Sequence, residues 1–119
     1  KRVKLFDNQK PFTVTLLGNR IERNSTDKDT VKCNNWSLTQ RDVLNIIKNS
    51  KQIDGTLWDL EFDVLSCSVY GTIIQNNIEY PFMTNSAAYS LVNSGDTTII
   101  YGDYKKQDKK LFLSFPGSE

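Results

Sequence analysis

The sequence predicts an α+β domain: a bent antiparallel sheet of six or seven strands carrying one main helix, over about residues 37–49. Three observations predict it. Only one segment places apolar residues at helical spacing, with Val43, Leu44, Ile46 and Ile47 opposite Arg41, Asn45 and Lys48. The other apolar segments are short and alternate bulky with polar residues, as half-buried strands do. In the second half they are joined by short turn-like connectors, so local antiparallel pairing is the simplest topology. The 119 residues fit a single domain, 1–119.

Taken in order, Lys1–Lys10 is polar and mixed and is closed by Pro11, and 1–11 reads as a loosely ordered lead-in. Phe12–Leu17 alternates bulky residues with Thr, a first strand. Gly18-Asn19 offers a turn or bulge, beyond which Arg20–Arg23 continues the strand. Asn24–Asn35 is rich in Asn, Ser, Thr, Asp and Lys, an exposed loop. The helix follows, with an N-cap signal from either Ser37 and Gln40 or Thr39 and Asp42, and with Trp36 stapling its start. Asn49-Ser50 ends it, and Asp54-Gly55 marks a turn. Trp58–Val64 then alternates without a fault, putting Trp58, Leu60, Phe62 and Val64 on one face of a strand and Asp59, Glu61 and Asp63 on the other. Cys67–Gln75 and Ile78–Phe82 form a hairpin about Asn76-Asn77, since Asn tolerates the positive φ of a tight primed turn. Pro81 cannot donate to a ladder, so its strand is an edge or is interrupted there. Ala87–Val92, Thr97–Tyr101 and Leu111–Phe115 complete the strands.

Composition excludes several classes. Lys plus Arg number 15 and Asp plus Glu 14, a net charge of +1, whereas a general nucleic-acid binder carries a basic excess to meet phosphates. No apolar run approaches the ~20 residues of a membrane-spanning helix. There is no His, which removes Ser-His and Cys-His nucleophile pairs and His-ligated metals. Two Cys cannot build a zinc site unaided, and Gly71 belongs to no phosphate-cradling loop. No cofactor, no metal and no catalytic set is therefore expected. Cys33 and Cys67 have two readings: a disulfide of an exported chain, or two reduced, buried thiols. Met83 is the only methionine, so Lys1 is not a translation start; a removed leader and a trimmed sequence give the same picture.

The acidic row Asp59, Glu61 and Asp63 is the candidate partner-binding site. On a strand its carboxylates would stand about 7 Å apart on one face and would steer a basic partner. The competing reading is the solvated face of a half-exposed sheet. A carboxylate pair for glycoside hydrolysis lacks a cleft, and Asp27, Asp29 and Thr30 lack the glycine and distal Glu of a calcium loop. Lys105, Lys106, Lys109 and Lys110 read as a solvated turn that guards an edge strand, or as a contact for anionic lipid or an acidic partner.

Four blocks carry a resemblance. They are Trp36–Ile47 followed by Ile53-Asp-Gly-Thr56; Val64-Leu-Ser-Cys-Ser-Val-Tyr-Gly71; Ile78-Glu-Tyr80 with Asn85-Ser-Ala-Ala-Tyr89; and Asp96-Thr-Thr98 with Tyr101-Gly102 and Leu111-Phe-Leu113. Over about residues 36–113 the chain resembles a family of small, mostly uncharacterised bacterial exported proteins, some of them found near interbacterial toxins. The resemblance implies a location in the periplasm or outer cell envelope, compatible with a lipid anchor ahead of Lys1. It also implies a non-enzymatic, immunity-type role in which a partner toxin is neutralised by surface occlusion. The alternative is an envelope-associated accessory or small-ligand-binding module without a toxin partner. The family pattern expects a Cys just after Gly102, where this chain has Asp103, which leaves Cys33 as the remaining partner for Cys67.

Overall fold

The computed structural model describes residues 5–21 and 32–116. The elements run β1 (Thr13–Ile21), α1 (Gln40–Asn49), β2 (Lys51–Ile53), α2 (Gly55–Glu61), β3 (Cys67–Gln75), β4 (Ile78–Asn85), β5 (Tyr89–Ser94), β6 (Thr97–Gly102) and a 3-10 helix (Lys106–Leu111). Six strands form one antiparallel sheet in the order β1-β3-β4-β5-β6-β2. The class is α+β, as the sequence predicts. Strands β3 to β6 are a local meander, while the two strands flanking α1 sit on opposite edges.

Helix α1 starts where the Thr39–Asp42 signal places it. The Thr39 hydroxyl accepts from the Asp42 N–H at 3.0 Å, and the Asp42 carboxylate accepts from the Thr39 N–H at 2.9 Å. Its buried face of Val43, Ile46 and Ile47 packs on the first sheet face with Val14, Val69, Ile73, Phe82, Val92 and Tyr101. The Asn76-Asn77 turn has φ of 53° and 63°, the left-handed pair that closes a two-residue hairpin. Pro81 lies opposite Thr72 of β3, and β4 pairs with β5 only from Phe82 onward, so β4 is an edge at the proline and interior beyond it.

Four expectations are corrected. Trp58–Val64 is not a strand, because Asp54 caps a helix there: its carboxylate accepts from the Leu57 N–H at 2.8 Å. The helix turns Leu60 out to 76% exposure while Phe62 is buried; on a strand the two would share a face. Leu111–Phe115 is not a strand either: Leu111 ends the 3-10 helix, and no strand is assigned over 112–115. The lead-in is fixed rather than loose over residues 6–11. Phe6 is buried against Phe12, Tyr80 and Tyr101, the Asn8 amide donates to the Ile47 and Ser50 carbonyls, and the Gln75 amide donates to the carbonyls of Asp7, Lys10 and Pro11. Residues 32–34 form a helical turn rather than loop; the rest of the expected loop, with Asp27, Asp29 and Thr30, lies outside the described residues.

The bulge expected at Gly18-Asn19 is present one residue earlier. The β1–β3 register shifts between Leu16 and Gly18, which leaves Leu17 at 63% exposure. Cys33 and Cys67 form a disulfide, with Cα atoms 5.7 Å apart, tying the helical turn to the start of β3. Closing a 34-residue separation in the unfolded chain is worth roughly 3–4 kcal/mol. Replacing both cysteines with Ala is expected to lower unfolding stability by that amount in a denaturant titration, and reductant is expected to do the same to the wild type only.

Candidate binding face

The three predicted partner-binding carboxylates do not form a row. Two residues of α-helix turn the chain by about 200°, so Asp59 and Glu61 point to opposite sides of α2, and Asp63 lies beyond its end. Asp59 is exposed at the surface. Glu61 accepts from the Tyr104 hydroxyl at 2.6 Å, and Asp63 accepts from the Ser114 hydroxyl. Burial first, and then the Glu61 bond, hold the Tyr104 phenol well above its usual range, and Lys51 Nζ sits 4.6 Å over the same ring. Two of the three carboxylates thus fasten α2 and its exit to residues near the C-terminal end. The four lysines are all exposed, on and just before the 3-10 helix.

The open surface lies elsewhere. On the second sheet face, α2 covers the β5-β6-β2 half, where Ile53, Phe62 and Tyr89 are buried with Trp58, Leu91, Ile100 and Tyr104 packed around them. Cross-strand register carries the same face on to Met83, Tyr70 and Gly18, and to Pro81, Thr72 and Thr15. On this half Met83 still packs against the covered cluster and Ser68 is buried, while Tyr70 is 42% and Ile74 38% exposed. A cleft of about 520 Å³ opens beside Tyr70, lined also by Asn19, Arg20, Ser66, Ser68 and Met83. The bare Cα of Gly18 leaves room for the Tyr70 ring: a Cβ there would meet the Tyr70 hydroxyl at 3.1 Å.

The cleft holds hydroxyls, an amide, a phenol and a guanidinium, a set suited to recognition. Among the described residues no three or more Cys, Asp or Glu side chains group so as to hold a metal ion. No helix of the described residues is long and apolar enough to cross a membrane. Sequence reasoning did not single out Tyr70. The available signal was the strand parity itself, since Ser68, Tyr70, Thr72 and Ile74 face away from Cys67, Val69 and Ile73.

A second cluster escaped the sequence. Asp103 is 0% exposed; its Oδ1 accepts from the Lys105 N–H at 2.9 Å, and its Oδ2 has no donor. Asp108, also buried, accepts from the Asn49 amide at 3.0 Å. Desolvation, and next the adjoining Asp108 carboxyl, push Asp103 up to about 8.

Fold and surface together define a small disulfide-bonded α+β domain, with Tyr70 and Ile74 exposed on the second sheet face beside the cleft. Compared with protein-family models, curated proteins and solved structures, the chain matches none of them.

Proposed function

We propose that the protein is an exported, non-enzymatic binding protein of the immunity type, which neutralises a partner toxin by docking through the open half of its second sheet face. The observation that carries this reading is the exposed Tyr70, held between Gly18 and Met83 on paired strands and flanked by Arg20 and Ile74. Tyr, Met and Arg are enriched at the centres of protein interfaces, and a ring already fixed on strands loses little entropy on binding. The disulfide supports an oxidising, extracytoplasmic compartment. The toxin as partner rests on the resemblance over residues 36–113. Occlusion does not need an acidic row, because Glu61 and Asp63 already accept hydrogen bonds from within the chain.

Tyr70→Ala is expected to weaken the complex with the cognate toxin about tenfold or more, as loss of a central aromatic anchor does. Asp59→Lys is expected to leave affinity within about twofold. Calorimetric titration of the purified pair reads both. The opposite ranking would return the site to the acidic helix.

The cleft favours one alternative, a small-ligand-binding module. Its volume of about 520 Å³ falls within the range that encloses small ligands. A small molecule that raises the melting temperature of the wild type but not of Tyr70→Ala, with no protein partner, would favour that reading.

A further inference from the structure

Asp103 and Asp108 meet where the end of β6, the C-terminus of α1 and the 3-10 helix come together. Asp103 reaches the site just after β6 and is anchored by its own N–H, which donates to the Ala88 carbonyl at 2.9 Å. Asp108 comes from the 3-10 helix, and Asn49 from the last turn of α1. Two carboxyl groups in contact within a buried site do not both ionise. If both were charged, Asp103 Oδ2 would remain a buried acceptor with no donor, facing a like charge.

One proton resolves the arrangement. A hydrogen on Asp103 Oδ2 turns the unpartnered oxygen into a donor to Asp108. The chain of bonds then runs from the Lys105 N–H to Asp103 Oδ1, from Asp103 Oδ2–H to Asp108, and from the Asn49 amide to Asp108 Oδ2. We propose that this shared proton is a latch: it holds the 3-10 helix and the segment after it on the domain, and its loss releases them.

The neighbouring groups do not replace the proton. Lys105 attracts the pair's charge but has an exposed side chain, as do Lys106, Lys109 and Lys110. On β2, Lys51 has its ammonium over the Tyr104 ring, and the Tyr104 hydroxyl donates to Glu61. From α1 the contact is the neutral Asn49, and from the β4–β5 connection it is the Ala88 carbonyl. The released segment carries further ties: the Leu111 carbonyl accepts from Trp36 Nε1, the Leu113 and Ser114 N–H groups donate to the Ser86 carbonyl, and the Ser114 hydroxyl donates to Asp63.

The sign follows from the higher proton affinity of the closed state. Latched Asp103 titrates at about 8, against 3.8 for a solvated carboxyl, so opening releases a proton between those values. The latch is complete below about pH 4, loosens as pH rises, and reaches a floor above about pH 8. Hydrogen exchange of the wild type, corrected for intrinsic rates, should therefore show protection of the Phe112 and Leu113 amides falling by up to about tenfold per pH unit from pH 5 to 8. The β3 amides should stay more protected throughout. In Asp103→Asn the amide donates to Asp108 at every pH, and the slope should vanish. A flat wild-type profile, the same slope in Asp103→Asn, or exchange only together with β3 would overturn the latch. Should that variant fail to fold, an NMR titration of the wild-type Asp103 carboxyl carbon decides: a midpoint near 8 supports the shared proton, and one below 5 overturns it.

Discussion

Gly71→Ala is expected to cost about 3 kcal/mol or more and to lower the melting temperature by about 10 °C or more. Gly71 lies opposite Leu16, next to the β1 bulge. A Cβ at position 71 would stand 2.0 Å from the Thr15 carbonyl oxygen, 3.0 Å from its carbon and 3.1 Å from the Leu16 Cα. All three are backbone atoms, so no rotamer change makes room. Either β1 lifts off the sheet, taking Val14 and Leu16 out of the core, or the bulge is rebuilt. Gly55→Ala is the matched control: nothing lies within 4 Å of the point where its methyl would stand, and Ala favours helix, so its effect should be slight or stabilising. Thermal unfolding followed by circular dichroism compares the two. Equal melting temperatures would mean that the bulge yields.

Asn85→Ala is expected to cost about 3 kcal/mol, far more than the few atoms removed. The buried Asn85 amide uses its full hydrogen-bonding capacity. Its oxygen accepts from the N–H groups of Leu65 and Ala87, and its nitrogen donates to the Leu65 carbonyl and the Ser68 hydroxyl. Each buried group left unpaired costs about 1–3 kcal/mol, moderated where water enters. Asn85→Asp keeps the shape but loses both donors and brings a negative charge toward the Leu65 carbonyl, so it should be at least as damaging at neutral pH. Denaturant midpoints order the three proteins. Because Leu65 adjoins Ser66 in the cleft wall, both variants should also weaken binding at the open face, whereas a loss of stability with binding intact would separate the cleft from this anchor.

Much of the sheet was legible because strand signals are local. The limits of β3, the Asn76-Asn77 turn, the capping box of α1 and the bulge in β1 all depend on residues within a few positions of one another. Trp58–Val64 was misread for a related reason. A seven-residue stretch supports both periods: Trp58 and Phe62 are i and i+4 on a helix as well as members of one strand face. Asp54 as an N-cap, bonded at 2.8 Å to the Leu57 N–H, decides between them. Read as a turn, the Asp54-Gly55 pair gave away that information, and with it the common face assumed for Asp59, Glu61 and Asp63.

The candidate binding face was only half legible. Parity placed Tyr70 and Ile74 on the face opposite Val69, but their exposure depends on where α2 stops covering the sheet, which no local pattern encodes.

The sequence alone determined the α+β class, the single long helix, the meander of hairpins, the cysteine pair as a candidate bridge and the absence of histidine chemistry. Tertiary structure decided which sheet half stays open, which carboxylates are occupied within the chain, and how the ends are held. Asn8, Gln75 and Asn85 show the physical reason. Each is a buried amide satisfied by backbone groups 2 to 68 positions away, standing in for a strand or a cap that the local sequence does not supply. In sequence such amides look like loop residues. Only folding brings them the donors and acceptors that make their burial favourable.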